Sequence, residues 1–310
     1  LLAAAVAATM ASVATADISI TGAAKVNYTY SDKDNNTSTN AFKNEMDLKV
    51  KGTNGDTTIV INTTADEAGA FGLEDSYVAT KVGDVSLKVG DWDNGNNALR
   101  ASERGKNKLS ASTSFGGVGI TYDANAGSDS ETVKLSGEIA GVKVSYKEKA
   151  AGEDISLSTS ISGLNISYLA INSDDANKDR NVVEVSTTVG GMGLKIAQAN
   201  ADSSTRISGD TWMGDFEDST FNGTTANSYD LSNDQDVQSI ELSTSMGGNT
   251  VKFRNTQVDG VAGEDTSFNK VIITRPLANG TTFEATYTDL DDDAVTTDGT
   301  TIDLELAVKF

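Results

Sequence analysis

The chain has 310 residues, with 45 acidic and 24 basic side chains, a formal net charge of −21, one proline, no cysteine and no histidine. The acidic excess argues against nucleic acid as a partner, because phosphate binding requires clustered lysine and arginine. Without cysteine or histidine, disulfides, thiolate nucleophiles and most zinc or iron chemistry are excluded. With no Ser-His arrangement, Gly-x-Ser-x-Gly elbow or phosphate-binding loop either, we expect no enzymatic activity and no cofactor.

Residues 1–16 are apolar and uncharged, and they end in a small-x-small pattern at Ala14 and Ala16. These features predict the apolar region and cleavage site of a secretory signal peptide whose charged start is missing from this sequence. A short amphipathic or buried helix is the alternative for this segment. No later run approaches the roughly 20 apolar residues of a membrane-spanning helix. We therefore expect a signal peptide remnant over 1–16 and one β-rich domain over 17–310.

Apolar and polar residues alternate along most of this domain. The segment 42–51 carries five charged residues on one face, and the last segment, 302–310, alternates Ile302 and Leu304 with Asp303. Such alternation predicts strands with one apolar and one polar face. So many charges would be poorly placed inside a soluble sandwich, but they suit a water-filled lumen. The pattern therefore predicts a transmembrane β-barrel with its apolar faces toward lipid.

Glycine-containing pairs predict tight turns between many of these strands. The predicted turns lie at Asn54-Gly55, Gly83-Asp84, Gly116-Gly117, Gly141, Ser162-Gly163, Gly190-Gly191, Gly247-Gly248 and Asn279-Gly280. Longer polar connections are predicted at about 65–71, 93–106, 124–130, 149–153, 172–180, 200–235, 257–267 and 289–299. Alternating short and long connections are typical of a barrel with periplasmic turns and extracellular loops. The eight turns predict an all-β, antiparallel up-and-down barrel of about 18 strands, or of 16 if one weak hairpin is merged.

Tyrosines fall near the loop end of several predicted strands: Tyr28, Tyr122, Tyr146, Tyr168 and Tyr287. Their common height predicts an aromatic girdle at one membrane interface. The general preference of tyrosine for strands is the alternative explanation. Phe115 and Phe310 are predicted at the opposite rim.

The stretch 71–90, FGLEDSYVATKVGDVSLKVG, resembles the hairpin that precedes loop three in the general diffusion porins of Gram-negative outer membranes. The start at 17–30 and the end at Phe310 look similar too. This resemblance implies a homotrimer of hollow barrels in outer-membrane lipid, each with loop three folded into the lumen. It also implies acidic groups on that loop facing a basic cluster on the opposite wall. This chain departs from the family in having Asp91 where arginine is usual, and in a predicted strand number above the usual 16.

The resemblance directs attention to loop three, 93–106, and to the wall that would face it. The candidate acidic residues of the constriction are Asp91, Asp93 and Glu103, and the candidate basic residues are Lys43, Lys49, Lys51, Arg100 and Arg104. We expect Asp93 and Glu103 to face the aperture, opposite the three lysines. Acid in excess on lumen and loops predicts a preference for cations. For any single residue the alternative is an ordinary solvated luminal position, since alternation requires polar groups there.

The acidic group Asp289, Asp291, Asp292 and Asp293 is a weak calcium candidate, because it lacks EF-hand spacing, and a solvated loop is the alternative. The segment 200–235 carries five large apolar or aromatic residues and is expected to pack over the barrel mouth or on a neighbouring subunit.

The sequence thus predicts an outer-membrane channel that admits ions and small hydrophilic solutes by passive diffusion. A substrate-selective channel is one alternative, although most aromatic residues are predicted to face outward rather than line a track. A secreted β-rich surface adhesin is the other.

Overall fold

Consecutive strands pair antiparallel all the way around the chain in the computed structural model, which is an 18-stranded sheet. It describes residues 17–33, 37–66, 69, 71–93, 99, 104–126, 131–175, 177–202, 235–259, 266–292 and 299–310. The strands are β1 Asp17–Lys33, β2 Thr37–Asn54, β3 Thr57–Asp66, β4 Phe71–Val82, β5 Val85–Asp93, β6 Arg104–Phe115, β7 Val118–Asn125, β8 Thr132–Ile139, β9 Val142–Lys149, β10 Gly152–Ile161, β11 Leu164–Ser173, β12 Arg180–Val189, β13 Met192–Ala201, β14 Gln235–Met246, β15 Asn249–Asp259, β16 Thr266–Pro276, β17 Thr281–Asp292 and β18 Gly299–Lys309. The prediction of an all-β barrel with 18 rather than 16 strands is confirmed.

The barrel closes where β1 meets β18. Ala23 pairs with Lys309, and Gly22 and Phe310 exchange two backbone hydrogen bonds of 2.9 and 3.0 Å. A Cβ at residue 22 would lie 2.4 Å from the Phe310 ring, so glycine is needed for this close approach. Closure leaves the sheet without a free edge.

Residues that face each other across a strand pair share one face of the sheet. Lys25 of β1 lies opposite Glu45 of β2, and their side chains form an ion pair of 3.1 Å on the luminal face. The neighbouring residue Val26 points outward and is 49% exposed, as is Phe42 at 69%. Apolar side chains therefore cover the outside of the barrel and polar ones line its interior. Within the described residues, no helix is long and apolar enough to cross a membrane.

All eight predicted turns connect adjacent strands, seven of them by two residues and the one at Asn279-Gly280 by the four residues 277–280. The glycine pair Gly116 and Gly117 has φ angles of +59° and +83°, the left-handed conformations that two-residue hairpins require. At some of these turns a threonine from the next strand donates to a turn carbonyl, as Thr159 does to Gly141 at 3.0 Å. Thr113 and Thr187 make the equivalent bonds to Asp84 and Gly163, at 3.1 Å each.

One predicted connection is wrong. Residues 149–153 were expected to form a longer polar loop, but β9 ends at Lys149 and β10 begins at Gly152, so that only Ala150 and Ala151 lie between them. An ion pair between Lys149 and Asp154 joins the two strands beside this turn. Both strands therefore continue pairing almost to their ends, which composition alone did not indicate.

The five tyrosines of the predicted girdle all lie on the outward face, as their partners show. Tyr28 lies opposite Phe42 with ring centroids 4.8 Å apart, and Tyr146 donates to Glu148 and, at 3.1 Å, to Glu153. Their role at a membrane interface remains a prediction. The signal peptide remnant at 1–16 and most of the segment 200–235 lie outside the described residues.

Candidate channel constriction

The strands at the root of loop three are joined through a β-bulge. Gly90 of β5 pairs with Lys108 of β6, but Trp92 pairs with Gly105, so the register shifts between them. Gly90 has a φ of +133°, and a Cβ there would lie 2.1 Å from the backbone oxygen of Ser76. Only glycine adopts this conformation and permits this approach without strain. A single residue, Gly90, therefore accounts for the bulge.

Two carboxylates hold the backbone at this root. Asp91 Oδ1 accepts a hydrogen bond of 2.7 Å from the backbone nitrogen of Asn107, in the bulged part of β6. Asp75 Oδ1 accepts one of 3.1 Å from the backbone nitrogen of Asp93. Hydrogen bonds to charged acceptors are stronger than those between neutral groups. Asp91, a predicted acid of the constriction, is thus placed where it orders the start of loop three.

Aromatic and basic side chains meet on the luminal face beside the bulge, in a group of Tyr77, Lys88, Trp92 and Lys108 that we call the tryptophan cluster. The Lys88 and Lys108 ammonium groups lie 4.3 and 4.2 Å from the Trp92 ring centroid, and Lys88 is also 3.9 Å from that of Tyr77. Lys108 Nζ donates to the Trp92 carbonyl at 3.3 Å, and Tyr77 packs edge-on against Trp92. Each cation–π contact is worth about 0.5–2 kcal/mol, depending on exposure. The cluster therefore fixes two positive charges at the root of loop three.

Sequence reasoning placed Lys88 in the lumen but did not single out Trp92 or Lys108. Trp92 is only 7% exposed and Lys108 only 5%. The aromatic residues were expected to face mainly outward, whereas Tyr77, Trp92 and Phe268 occupy luminal positions. A glycine two residues before a tryptophan in one strand was the available signal, because a bulge allows a large side chain to pack closely.

On the far side of the lumen, one hydrogen-bonded row across five strands is entirely apolar, and we call it the apolar row. It consists of Leu169, Val182, Ala199, Val237 and Val258, on β11 to β15. Leu99, from the middle of loop three, is fully buried in the apolar cluster that contains this row. This residue of loop three therefore lies inside the lumen, against the opposite wall. Burial of a leucine side chain is worth roughly 1.5–3 kcal/mol.

The predicted basic wall lies on β2. Lys43, Lys49 and Lys51 occupy alternate luminal positions and are exposed to the lumen. Acidic side chains lie between them, and one of these, Asp47, accepts a hydrogen bond of 2.7 Å from Thr64. The three lysines thus face the water-filled space, on a different part of the wall from the apolar row.

Charged residues on β12 to β15 are mostly paired with one another. Arg254, with 5% of its side chain exposed, binds Glu241 through Nε at 3.2 Å and Nη2 at 2.7 Å. Lys195 pairs with Glu184 at 3.1 Å. Both Arg254 nitrogens donate to the same oxygen, Glu241 Oε2, and these charge-assisted bonds hold the paired side chains against the wall.

Across the described strands, basic residues outnumber acidic ones on the luminal face. The basic positions are Lys25, Lys43, Lys49, Lys51, Lys81, Lys88, Lys108, Lys134, Lys143, Lys147, Lys149, Arg180, Lys195, Lys252, Arg254, Lys270 and Lys309. The acidic positions are Asp17, Glu45, Asp47, Asp75, Asp123, Glu138, Asp154, Glu184, Glu241, Glu284, Asp303 and Glu305. The expected acidic excess is therefore not found on the described wall.

The remaining predicted residues of the constriction lie at or beyond the limits of the described chain. Asp93 is exposed, and its backbone lies opposite that of Arg104, the first residue of β6, in the strand register. Arg100 and Glu103 lie outside the described residues. The structure thus brings Asp91, Asp93 and Arg104 together at the root of loop three. That Asp93 and Glu103 face an aperture remains a prediction.

Of the weak calcium candidates, Asp289 and Asp291 both lie on the outward face of β17, opposite Asn269 and Ser267. Asp292 ends that strand, and Asp293 lies outside the described residues. In the part of the chain that the structure describes, no group of three metal-ligating side chains occurs.

Comparisons with known proteins find similarity in structure alone. No protein-family model and no curated protein sequence matches the chain. The structure of OpdO from Pseudomonas aeruginosa superposes with a TM-score of 0.69 at 11% identity, covering 95% of this chain and 97% of that one. OccK2 (OpdF) from the same organism, in complex with glucuronate, gives a TM-score of 0.67 at 11% identity, covering 95% and 98%. A BenF-like porin from Pseudomonas fluorescens gives 0.67 at 9% identity, with the same coverages.

These likenesses extend over nearly the whole of each chain, and they agree with the closed barrel described above. Identities near a tenth establish the fold and leave the solutes to be determined. The resemblance of residues 71–90 to porins is thereby confirmed at the level of architecture: the chain has the barrel fold of the Gram-negative outer-membrane porins.

Proposed function

We propose that this protein is an outer-membrane porin, whose barrel forms a water-filled channel for the passive diffusion of ions and small hydrophilic solutes. The observation that carries the proposal is the closed sheet with an apolar exterior and a charged interior. A barrel with this polarity is stable in lipid and unstable in water. Leu99, in the connection between β5 and β6, is buried against the far wall inside this channel.

We further propose that the channel prefers cations, and we assign the preference to its mouth. The described wall is not acidic, so most of the net charge of −21 belongs to the connections and their ends. The segment 203–234, which connects β13 to β14, contains six acidic residues and one arginine. Fixed negative charge within a Debye length of about 8–10 Å raises the local cation concentration at a channel entrance.

Recording of single channels from residues 17–310 in a planar bilayer, under a salt gradient, tests both statements. We expect stepwise conductance nearly linear in salt, with a reversal potential that favours cations. Neutralising the six acidic residues of 203–234 should shift that potential toward zero, and neutralising Asp93 and Glu103 should do so if the constriction contributes. The change Asp56→Asn, in the turn between β2 and β3, should shift it less. Absence of conductance from folded, heat-modifiable protein would refute the channel.

A substrate-selective channel for small anionic solutes is a second candidate, and the tryptophan cluster favours it. Lys88 and Lys108 place two ammonium groups within 4.3 Å of one indole ring, on the luminal face beside loop three. Among similar structures, OccK2 was determined with glucuronate and OpdK with vanillate. Positive charge beside an apolar ring is suited to binding an anion with a flat or apolar part.

The two candidates predict different currents. If the second is correct, millimolar glucuronate or vanillate will reduce the single-channel current, and Lys88→Gln with Lys108→Gln will abolish that block. Lys134→Gln, a luminal lysine on β8, is the matched control and should leave the block unchanged. A current insensitive to both anions would leave passive diffusion as the function.

We also propose that the protein is a homotrimer in outer-membrane lipid, with its tight turns on the periplasmic side. An oligomer that resists detergent until it is heated, and that cross-links as three chains, is the expected result. Recovery of a single chain from native outer-membrane fractions would contradict the trimer without affecting the channel.

A further inference from the structure

A recess opens in the luminal wall at the turn end of β11 to β14, at the opposite end of these strands from the apolar row. Its volume is about 200 Å³, the space of roughly seven water molecules. Gly193 forms its floor, between Thr188 of β12 and Ser243 of β14. A Cβ at residue 193 would lie 2.4 Å from Ser243 Oγ, so the absence of a side chain keeps the recess open. Glycine inside a strand often marks a place where a ligand approaches the backbone closely.

Neutral polar groups surround this floor. Asn165 and Ser186 face each other on β11 and β12, and the hydroxyls of Thr188 and Ser243 lie on either side of Gly193. Within the part of the chain that the structure describes, these four side chains form no hydrogen bond with another residue. Hydroxyl and amide groups can both donate and accept. The recess therefore offers a bound molecule both kinds of hydrogen-bonding group at four points.

The charged groups at the edge of the recess already have partners. Lys195 pairs with Glu184 at 3.1 Å. Glu241 Oε2 accepts two hydrogen bonds from Arg254, and its Oε1 lies 3.8 Å from Lys252 Nζ. A charged solute would compete with these ion pairs, and separating a partly buried pair leaves a charge uncompensated. A neutral solute leaves the pairs intact, while the carboxylate and the ammonium can still bond to its hydroxyls.

We propose that this recess is a binding site for small neutral polyhydroxylated solutes, such as an alditol or a monosaccharide. No aromatic ring lines it, so binding depends on hydrogen bonds, and we expect a dissociation constant on the order of millimolar. Weak binding allows a solute to leave as readily as it enters, which passage through a channel requires. This use in transport rests on the channel function proposed above, whereas occupancy of the site does not.

Three linear six-carbon probes that differ in charge test the class of ligand, with the barrel folded in detergent micelles. Saturation-transfer NMR should detect millimolar binding of neutral sorbitol, and roughly tenfold weaker binding of the anion gluconate and the cation glucamine. Equal or tighter binding of either charged probe would overturn the assignment to neutral solutes. Absence of sorbitol binding would overturn the site itself.

Filling the recess tests its location. In Gly193→Val the new side chain occupies the floor and Ser243 can turn its hydroxyl away, so we expect sorbitol binding to weaken about tenfold or more. The matched control is Gly119→Val. Gly119 is a luminal glycine at the turn end of β7, opposite Ser136, and a Cβ there would lie 2.8 Å from Ser136 Oγ. Unchanged binding in Gly193→Val, or an equal loss in both variants, would contradict the proposed location.

A second pair of variants adds no volume, so it remains informative if Gly193→Val does not fold. Ser186→Ala with Ser243→Ala removes two hydroxyls of the recess and should weaken sorbitol binding. Ser136→Ala with Ser145→Ala, at facing luminal positions on β8 and β9, is the control and should not. Single-channel recording then separates the two proposals. Sorbitol binding that depends on the recess in a barrel that does not conduct would refute the channel and support the site, whereas conductance without sorbitol binding would refute the site alone.

Discussion

At the turn end of the barrel, most adjacent strands are joined by two residues whose own backbone conformation forms the turn, whereas at the loop end the backbone conformation depends on close packing against other strands. The Gly116-Gly117 turn is typical of the first region: its φ angles satisfy the hairpin without help from other strands. The bulge at Gly90 and the burial of Leu99 are typical of the second, since Gly90 is fixed by Ser76 of β4 and Leu99 by β11 to β15. Local chemistry thus determines one end of the barrel and tertiary packing the other.

The largest effect that this comparison predicts follows Gly90→Ala. The new Cβ would meet the Ser76 carbonyl at 2.1 Å and the Tyr77 Cα at 2.7 Å, in a backbone conformation with φ +133°. We expect the free energy of unfolding, measured by urea titration in detergent micelles, to fall by roughly 2–4 kcal/mol.

The matched control for Gly90 is Gly72→Ala on the neighbouring strand β4. A Cβ at Gly72 has its nearest neighbour, the Thr64 carbonyl, at 3.7 Å, and that residue is not in the left-handed region. We expect a change below about 1 kcal/mol there. If both substitutions lower the free energy of unfolding by the same amount, the bulge is not constrained by packing. The contrast between the two ends of the barrel then loses its main support.

The turn end could be predicted from the sequence because its causes lie within a few residues. Glycine pairs such as Gly190-Gly191, separated by regular alternation, determined the eight turns, the strand number and the face of each side chain. The tyrosines and Lys43 could be assigned to a face of the sheet from the two-residue period of a strand. The same rule gave one wrong connection, at 149–153, where two strands pair further than their composition indicates.

The constriction could be predicted only in outline. Resemblance to porins located loop three, but which residues it brings to the wall depends on shape complementarity between segments far apart in sequence. Leu99 is one leucine in a polar connection, and the apolar row is recognisable only when β11 to β15 are in register. Likewise, periodicity placed Lys88 in the lumen but could not show that its ammonium group lies over Trp92.

An intermediate effect is expected at the tryptophan cluster, for Trp92→Leu. The substitution removes the ring that lies near both Lys88 and Lys108, and we expect a loss of about 1–2 kcal/mol of unfolding free energy. The two ammonium groups also lose their fixed positions, so the reversal potential should change. In the turn-end control Phe115→Leu, at a site 85% exposed, neither quantity should change appreciably. Equal shifts in the reversal potential would mean that the aromatic ring does not position the lysines.

The smallest effect is expected at the turn end itself, for Thr159→Val. The hydroxyl donates to the Gly141 carbonyl at 3.0 Å in an exposed position, so its removal should cost about 0.5–1 kcal/mol, and Thr159→Ser should restore most of the loss. Thr113 and Thr187 make the same bond at other turns. Because sites without shared partners contribute independently, the triple valine variant should lose the sum of the three single losses. A loss well beyond that sum would show that the turns are coupled around the rim, and that the turn end depends on tertiary contacts as the loop end does.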